Sequence, residues 1–496
     1  MQTDVAVIGA GPVGMAAAAL LHRAGVAVRV FEARSDRLGQ SRATTIHPRT
    51  LEVLDALPTA DGGSLAELMV AAGTAVPAAH FAVLPDRLSY ERLDTSFPFV
   101  LQLSQVETER LLAEHLEANG VVVETGWELA DLEQDNEGVT ITSTAGAQER
   151  ARYVIGADGA HSAVRHALDI GFPGTSATSM GFLADVRLDR PPAHPHHWDV
   201  ERGSYSVIAL PGGRYRVFGH EPSDTGLTPE EAKARQADIP DETELRATLH
   251  RMAGDDFGLR EVIWTSRAGD ATRHAEHYRV GRVFLAGDAA HVHLPAGGQG
   301  LNVGVQDAAN LAWKLAAEVA GRAPRRIIDG PQSYDAERRP IAARLAANTL
   351  AQASLMVTFT PAGQALRDLV SRLIARDGDT ADELRGWLSG LEVAYDVSAG
   401  SPVGRRVPNL PLAGGGTLHR ALRPDRLTLV AFGPTPMPDE LPVELVRSLR
   451  GWEDAAAVLV RPDGHAAAVW RADELSASAV AEVVAGWTVV GEPATR

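Results

Sequence analysis

The chain has 496 residues, a formal net charge of −17 and no cysteine. A chain of this length is too long to fold around one ordinary hydrophobic core, so we expect two or three domains. The acidic balance argues against a nucleic-acid partner and against an anionic membrane surface. The lack of cysteine excludes disulfides, thiolate metal ligands and redox-active dithiols.

The apolar N-terminal stretch does not match an export signal. It lacks a basic start, carries Asp4, and is interrupted by Gly9, Gly11 and Pro12. No other stretch approaches the roughly 18 uninterrupted apolar residues that cross a bilayer. We therefore expect a cytoplasmic protein without a membrane partner.

A strand, a glycine-rich turn and a helix open the chain. The apolar run 5–8 predicts a buried parallel strand. Gly9, Gly11 and Gly14 follow with G-x-G-x-x-G spacing, before a helical pattern and a second apolar strand that ends at Glu32. A plain βαβ turn would also contain glycines, but here the strand, the helix, the second strand and the acid all fall in register.

Each residue type in this motif suits a bound dinucleotide. Gly9 permits the tight turn, Gly11 allows the backbone to approach a pyrophosphate, and Gly14 allows the helix to pack close to the sheet. The helix N-terminus offers free N–H groups to the phosphates. Glu32 can accept hydrogen bonds from the ribose hydroxyls and would repel a 2′-phosphate. This motif leaves both NAD and FAD open.

Two further stretches have simple structural interpretations as well as functional ones. In residues 152–168 a strand leads to Asp158 and Gly159, and a helix start with Ser162 follows. Asp158 and Ser162 could serve only as helix caps. In residues 41–57, Arg42 precedes a helical pattern, and it could be a surface charge.

A third stretch combines an acid, a nearly bare loop and a helix. An apolar strand over 283–286 ends at Gly287 and Asp288, and an apolar helix face begins at Leu301. The loop between them contains Pro295, Gly297, Gly298 and Gly300. A bare loop at a helix N-terminus suits a flat electron-accepting ring, because N–H groups and the helix dipole stabilise the negative charge of a reduced flavin.

These motifs together resemble the FAD-dependent aromatic hydroxylases of the p-hydroxybenzoate hydroxylase type, the single-component (class A) flavoprotein monooxygenases. They occur in the family's order over about the first 390 residues. The matching segments are GAGPVG (9–14) with Glu32, SRATTIHPRTLE (41–52), QLSQVETERLL (102–112), IGADGAHSAVR (155–165), FLAGDAAHVHLPAGGQGLNVGVQDAANLAWKL (284–315) and YDAERRP (334–340).

The resemblance implies a role for each candidate site residue. The ADP half of FAD would be held by Gly9, Gly11, Pro12, Val13, Gly14, Glu32, Ala33 and Arg34. Arg42 and Gln105 would contact the phosphate and ribityl region, and Asp158 and Gly159 would serve both FAD and NAD(P)H. Gly287 and Asp288 would bind the ribityl chain. The isoalloxazine ring would be lined by Pro295, Gly297, Gly298, Gly300, Leu301 and Asn302.

The resemblance also implies the fold, an α/β architecture in three parts. Residues 1–77, 102–177 and 266–390 would form a discontinuous Rossmann-like FAD-binding domain of the glutathione-reductase type (GR2). Residues 78–101 and 178–265 would form an interleaved β-sheet domain over the substrate. Residues 391–496 would form a thioredoxin-like domain without cysteines, as in the longer polyketide hydroxylases of this group.

The implied activity is an NAD(P)H-consuming monooxygenase that hydroxylates an aromatic natural product, which we expect to be phenolic and polyketide-like. NADPH or NADH would reduce FAD, and dioxygen would then give a flavin C4a-hydroperoxide. The same peroxide could instead perform Baeyer–Villiger oxidation or epoxidation. A reductase, a halogenase and a non-catalytic flavin-binding protein are further alternatives, although the W-x-W-x-I-P element of halogenases is missing.

Metal and hydrolytic chemistry are weaker interpretations. His291 and His293 form an H-x-H pair, and residues 194–197 read HPHH, but the further ligands that zinc or iron requires do not stand out. Residues 174–181 do not form a nucleophile elbow. We expect no metal, we name no general base, and the expected partner is a small aromatic substrate. A homodimer is compatible with the resemblance.

Overall fold

A computed structural model of the protein describes residues 3–35, 43–395, 401–434, 437, 441 and 443–487. Within this part of the chain the strands, in order, are β1 (Thr3–Ile8), β2 (Val28–Glu32), β3 (Thr45–Ile46), β4 (Thr74–Val76), β5 (Ala78–His80), β6 (Arg87–Ser89), β7 (Val100–Gln102), β8 (Val122–Thr125), β9 (Leu129–Gln134), β10 (Val139–Ser143), β11 (Gln148–Gly156), β12 (Gly174–Thr175), β13 (Met180–Leu188), β14 (His196–Asp199), β15 (Gly203–Leu210), β16 (Arg214–His220), β17 (Leu259–Gly269), β18 (Thr272–His274), β19 (Arg279–Val280), β20 (Val283–Leu285), β21 (His291–Val292), β22 (Thr428–Phe432), β23 (Glu444–Ser448), β24 (Ala457–Val460) and β25 (Ala466–Trp470).

The helices of the same residues are α1 (Pro12–Arg23), α2 (Pro48–Asp55), α3 (Leu65–Ala72), α4 (Gln105–Ala118), α5 (Ala163–Ala167), α6 (Pro229–Ala237), α7 (Glu242–Ala253), α8 (Gln299–Val319), α9 (Arg325–Ile328), α10 (Tyr334–Val357), α11 (Pro361–Ala375), α12 (Asp379–Ser389), α13 (Leu418–Ala421) and α14 (Ala477–Trp487). Short 3₁₀ turns cover Pro222–Asp224, Gly287–Ala289 and Ala296–Gly298. None of the helices that the structure describes combines the length and apolar character needed to cross a bilayer.

The largest sheet confirms the predicted opening of the chain. Its order is β19-β20-β11-β1-β2-β8, with β10 and β9 added beside β11. The neighbours from β20 to β8 pair in parallel. Strand β1 is almost wholly buried, as its unbroken apolar run predicts. Because β1, β11 and β20 are parallel, their carboxyl ends lie at the same edge of the sheet. Helices α1 and α8, which follow β1 and β20 in the chain, pack against each other.

A second sheet has the order β14-β15-β16-β13-β17 and two unlike faces. Residues directly opposite each other in antiparallel strands share a face. One face is apolar, with Phe182, Ala184 and Val207 packed against Leu249 of α7. The other face, which we call the polar face, carries His196, Ser204, Ser206, Arg216, Phe218 and His220. The predicted hairpin about residues 211–213 is confirmed as β15 and β16.

Residues 78–101 differ from their predicted place. The sequence assigned them to this second sheet, but β5 and β6 pair only with each other, and β7 pairs with β3 and β4. The β5–β6 hairpin packs instead against α11 and α12, where Phe81, Leu84 and Tyr90 join Ile374 and Leu388 in one apolar cluster. Strands this short reveal only their apolar character in a sequence and not their pairing partner.

The C-terminal unit contains a four-stranded sheet of order β23-β22-β24-β25. Strands β22 and β23 are parallel, the other neighbours are antiparallel, and α14 follows β25. A buried ionic group ties this unit to the rest of the protein. Arg461 donates to both carboxylate oxygens of Glu337 at 2.7 and 2.9 Å, and Lys314 donates to the same carboxylate at 2.6 Å.

Candidate active site

The glycine turn, residues 9–14, joins β1 to α1 and is shaped by close backbone contacts. Gly9 has a φ of +105°, and a Cβ built there would lie 2.3 Å from the carbonyl oxygen of Ala157. A Cβ at Gly14 would lie 2.0 Å from the carbonyl oxygen of Gly9. A Cβ at Gly11 would meet nothing within 4 Å. Gly9 and Gly14 are therefore required by the fold, whereas Gly11 leaves room for a ligand to approach.

The N-terminus of α1 faces this open space without a side-chain cap. Gly11 is the N-cap residue, Pro12 begins the helix, and the first turn contains no acidic residue. The free N–H groups and the positive end of the helix dipole are the features that bind phosphate.

Glu32 is buried at the end of β2. One carboxylate oxygen accepts a hydrogen bond from the Ala10 N–H at 2.8 Å. The other accepts from the backbone N–H of Arg34 at 3.1 Å and from its guanidinium at 2.8 Å. Burial raises the pKa of Glu32, but the hydrogen bonds from Arg34 and Ala10 outweigh it and leave this pKa below its usual value. The ionised carboxylate keeps lone pairs for ribose hydroxyls, and Ala33 beside it is exposed.

Val13 is the point where two distant segments meet. A Cβ at Gly287 would lie 3.0 Å from the Val13 side chain, and a Cβ at Gly304 of α8 would lie 2.5 Å from it. This close packing places the glycine turn beside the Gly287–Ala289 turn, far apart as they are in the sequence. Asp288 in that turn is exposed. Its carboxylate lies on the side of Gly300, where an added Cβ would be 3.9 Å from Oδ1.

The ring loop, residues 295–300, has an unusual backbone. Gly297 and Gly298 are consecutive residues with φ of +67° and +66°. A Cβ at Gly297 would lie 2.9 Å from Leu388, and one at Gly298 would lie 2.6 Å from Thr45. Pro295 is exposed, and α8 begins after Gly298 without a side-chain cap. The first N–H groups of α8, including those near Leu301, are thus available to a ligand.

Asn302 holds this loop from behind. Its amide nitrogen donates to the carbonyl oxygens of Gly298 at 2.7 Å and Thr45 at 2.9 Å, and its Oδ1 accepts from the His47 N–H at 2.7 Å. The side chain is therefore engaged with protein atoms and positions the loop, so any contact of Asn302 with a ring would come from its backbone.

A buried histidine adds a second support for the ring loop. His47 Nε2 donates to the Gly297 carbonyl oxygen at 2.8 Å, which leaves Nδ1 to accept from the Tyr90 hydroxyl at 3.3 Å. Burial lowers the pKa of His47 to about 4, more than the hydrogen bond to Gly297 raises it. The ring is therefore neutral at pH 7, as this donor and acceptor pattern requires. Neither His47 nor Tyr90 was a predicted site residue.

The aspartate–glycine segment follows β11 and lies directly beside the glycine turn. Asp158 Oδ2 accepts from the Val164 N–H at 3.1 Å, and Ser162 caps α5 through the Arg165 N–H at 3.0 Å. Asp158 and Ser162 therefore do cap α5, as the structural interpretation of this stretch predicted. Asp158 Oδ1, however, is buried without a hydrogen-bond partner, and burial raises the pKa of this carboxyl. Gly159 has a φ of +83° and open space at its Cα.

Gln105 and Arg165 link neighbouring segments. Gln105 Oε1 accepts from the Ala43 N–H at 3.1 Å, and its amide donates to Glu109 at 2.7 Å. The buried guanidinium of Arg165 donates to the Ala289 carbonyl oxygen at 2.9 Å, which joins α5 to the Gly287–Ala289 turn. The predicted contact of Arg42 lies outside the described residues.

A buried network behind the Gly287–Ala289 turn was not predicted. Asp307 of α8 accepts from the Gly287 N–H at 3.2 Å, from His291 Nε2 at 2.8 Å and from Arg338 Nε at 2.7 Å. Arg338 also donates to the Tyr395 hydroxyl at 3.0 Å. Burial raises the pKa of Asp307, but Arg338 and His291 outweigh it and lower this pKa.

One feature of the sequence could have indicated this network, namely a charged residue within a helix that has an apolar face. Asp307 lies in the predicted apolar helix after Leu301, and Arg338 lies in the YDAERRP segment. From the sequence alone, either side chain could have been a surface charge. A charge on a buried helix face requires a partner of opposite charge, and in this fold α10 supplies it. Nε2 of His291 is therefore engaged with Asp307. Among the described residues no group of three or more His, Cys, Asp or Glu side chains is arranged to hold an ion.

These features together fit FAD. Open backbone at Gly11, an ionised Glu32 and the unpartnered oxygen of Asp158 lie around the glycine turn and suit the ADP half. Asp288 and the uncapped N-terminus of α8 suit the flavin half. Val13 packs against Gly287 and Gly304 and so joins these two groups of residues, as one bound dinucleotide requires. Bound there, FAD would supply hydride acceptance and oxygen activation.

Comparison with known proteins agrees with this geometry. Residues 2–349 match the family model described as an FAD binding domain. The chain is 39% identical to a rifampicin monooxygenase of Streptomyces venezuelae over 95% of this chain and 96% of that protein. It is 33% identical to a dialkyldecalin synthase of Streptomyces rugosporus, over 96% and 97% of the two chains.

A solved structure extends the likeness to the whole chain. The anhydrotetracycline hydroxylase OxyS from Streptomyces rimosus matches with a TM-score of 0.85 and 35% identity, over 100% of both chains. The chain therefore belongs to the FAD-binding-domain family and is a flavin-dependent monooxygenase related to the aromatic polyketide hydroxylases.

Proposed function

We propose that the protein hydroxylates a polycyclic, phenolic aromatic natural product, with FAD bound and with NADPH or NADH and dioxygen as co-substrates. The observation that carries the proposal is the position of the ring loop. Its helix N-terminus has no side-chain cap, and His47, which bonds to the loop, lies close enough to His80 of the β5–β6 hairpin to affect the pKa of His80. The His80 ring in turn lies 5.9 Å from the ring of His196 on the polar face of the second sheet. The named activities of the rifampicin and anhydrotetracycline relatives support an aromatic polyketide substrate.

The protein's own residues would act by placement and electrostatics. The first N–H groups of α8 would stabilise negative charge on the ring system. Asn302 and His47 would keep the ring loop in the one backbone conformation that presents those groups. The β5–β6 hairpin and the second sheet would exclude water and hold the aromatic substrate near the ring. No side chain in this arrangement is required as a general base.

The nicotinamide co-substrate would act transiently. A second glycine fingerprint is missing from the sequence, and the unpartnered carboxylate oxygen of Asp158 offers an acceptor beside the groove. Dependence on a reduced nicotinamide favours action in the cytoplasm, where that pool is held. We also propose that the protein forms a homodimer.

The proposal is tested with the purified protein. It should show an oxidised flavin spectrum, and a polycyclic phenol should accelerate NADPH or NADH oxidation with matching oxygen uptake. Isotopically labelled dioxygen should place one labelled oxygen atom on the aromatic ring. A protein without flavin, or with flavin that no nicotinamide reduces, would contradict the proposal.

The same labelling experiment separates the alternatives. Baeyer–Villiger oxidation would place the labelled oxygen within a new ester or lactone, and epoxidation would place it in a three-membered ring. The likeness to a named synthase favours a second candidate, a bond-forming reaction of the bound substrate. That reaction would give product without incorporated oxygen and without nicotinamide consumption.

A thioredoxin-like fold is our proposal for the C-terminal unit. Support comes from the strand order β23-β22-β24-β25, from one parallel pair followed by antiparallel neighbours, and from the final helix α14. Without cysteine this unit cannot perform thiol chemistry. Its buried ionic contacts with Glu337 and Lys314 support a structural role.

A further inference from the structure

Three basic side chains converge where the β5–β6 hairpin meets the polar face of the second sheet. His80 and Arg87 are direct cross-strand partners in the hairpin, so their side chains share one face. The His80 ring lies 5.9 Å from the ring of His196, centroid to centroid. His196 stands on the polar face, where its Nδ1 lies 2.7 Å from Ser206 Oγ.

Both histidines are neutral at pH 7. Burial and the nearby His196 and Arg87 charges lower the pKa of His80 to about 3. Burial and Arg87 lower the pKa of His196 to about 4. The Val83 N–H donates to His80 Nδ1 at 3.3 Å, so the neutral His80 ring carries its proton on Nε2. That N–H is a donor directed away from the hairpin backbone.

Arg87 is a cation without an anion. Within the described part of the chain, none of the carboxylates lies within salt-bridge distance of Arg87, and its guanidinium has no hydrogen-bond acceptor. Most arginines on neighbouring segments are paired, as Arg92 is with Asp377 at 2.7 Å. Arg87 is exposed to solvent, and the protein around it lowers the pKa of its guanidinium by desolvation. Its charge is therefore both reachable by a ligand and free to pair with a bound anion.

This cluster is held in register with the ring loop. The Ala82 N–H at the tip of the hairpin donates to Gln352 at 3.0 Å, and Gln352 donates to Asn348 at 2.7 Å. Gln299, the first residue of α8, donates to the same Asn348 oxygen at 3.2 Å. His47, which bonds to the ring loop, also lies close enough to His80 to contribute to the lowered pKa of His80. A group bound at Arg87 would therefore be fixed relative to the flavin.

The polar face beside His196 continues into a small cavity. Ser206, which contacts His196, lines this cavity with Trp198, Phe218, His220, Met356 and Arg367. His220 is buried there, and neither of its ring nitrogens has a hydrogen-bond partner. These ring nitrogens are further polar groups for a ligand held beside His196.

We propose that Arg87, His80 and His196 form the specificity site for an oxyanion of the aromatic substrate, either an ionised phenol or enol or a carboxylate. Arg87 would supply the charge, and the histidine N–H groups would supply hydrogen bonds. The inference rests on the proposed function, because the site would orient the ring that is hydroxylated. It assigns substrate recognition to the hairpin, which contains no cofactor contact.

The test measures binding of chosen probes to the FAD-loaded protein by flavin difference spectroscopy. The probes are alizarin, whose 2-hydroxyl group ionises near neutral pH, the 2-O-methyl ether of alizarin, and anthraquinone-2-carboxylate. The variants are Arg87→Gln and, as a matched control, Arg92→Gln from the same segment, whose partner is the exposed Asp377.

The wild type should bind alizarin or the carboxylate more tightly than the ether, and the better of the two identifies the oxyanion. Arg87→Gln should weaken binding of that anion by about ten- to hundredfold, because a charged hydrogen bond is lost. Its affinity for the ether should stay within about twofold of the wild-type value. Arg92→Gln should change neither. Equal wild-type affinity for all three probes, or an equal loss of ether and anion in Arg87→Gln, would overturn the proposal.

His80→Gln keeps the experiment decisive if Arg87→Gln fails to fold. A neutral amide at residue 80 should reduce the preference for the anion over the ether, and a preference equal to that of the wild type would count against the site. Failure of the proposed function would look different, since the flavin would then not be reduced by a nicotinamide with any probe.

Discussion

The glycine turn and the ring loop, which we propose hold opposite ends of FAD, are built in different ways. The glycine turn is fixed by close backbone contacts, that of Gly14 with the Gly9 carbonyl oxygen inside the turn and that of Gly9 with Ala157 after β11. The ring loop is held by hydrogen bonds from the side chains of His47 and Asn302. The first region therefore depends on the absence of side chains, and the second depends on the presence of two particular side chains.

The largest effect should come from filling the glycine turn. Gly14→Val would place side-chain carbon against the Gly9 carbonyl oxygen, so we expect a loss of about 3 kcal/mol or more of unfolding free energy, or no folded protein. Gly11→Ala is the control, because a methyl group there meets open space. The Gly11 variant should fold normally and bind FAD more weakly. Urea unfolding of apo protein measures both, and similar stability of the two variants would contradict the steric account.

The next effect should come from the network behind the second turn. Arg338→Met would leave Asp307 buried without its cation, which should cost about 3–5 kcal/mol and weaken FAD binding. Arg339→Met, at the more exposed neighbouring position, should stay within about 0.5 kcal/mol of the wild type. Urea unfolding and FAD titration report the two effects. Equal losses in both variants would show that Arg338 does not position the turn.

A smaller effect should appear in the pH dependence of stability. The pKa of His47 is about 4 in the folded state and 6.5 as the ordinary value, so between these pH values the unfolded state binds the extra proton. The contribution of neutral His47 to the unfolding free energy is therefore fully present above pH 6.5 and is lost as pH falls toward 4. His47→Gln should flatten the slope of unfolding free energy by up to about 1.4 kcal/mol per pH unit in this window.

The exposed His277→Gln serves as the control for this measurement, and its slope should follow the wild type. Apo protein is used in both cases so that FAD binding does not enter. A His47→Gln slope identical to that of the wild type would show that the pKa of His47 is the same in the folded and unfolded states, which would contradict the neutral, buried ring described above.

The sequence predicted what is local. The strand, turn and helix around Gly9, the hairpin of β15 and β16, and the helix α8 after the ring loop all lie where periodicity and turn residues placed them. The C-terminal strand β22 and the β24–β25 hairpin were also predicted. In each case neighbouring residues decide the conformation, so a short window of sequence is sufficient.

The parts that were missed depend on tertiary partners. The β5–β6 hairpin carried an apolar signal, but its packing against α11 and α12 could not be inferred from strands of three residues. The ion pair of Asp307 with Arg338 joins two helices whose contact only the fold defines. His47 was included in a recognised motif, but its neutral state and its bond to Gly297 result from burial.

The most direct test of one FAD held at two ends is a fragment titration. Apo wild type, Glu32→Ala and Asp288→Ala are each titrated calorimetrically with ADP, FMN and FAD. Glu32→Ala should weaken the binding of ADP and FAD by about tenfold or more, because a hydrogen bond to a charged group is lost. The affinity for FMN should be unchanged. Asp288→Ala should weaken FMN and FAD, leave ADP unchanged and abolish activity. An Asp288→Ala protein that is replete with FAD and fully active would contradict the account.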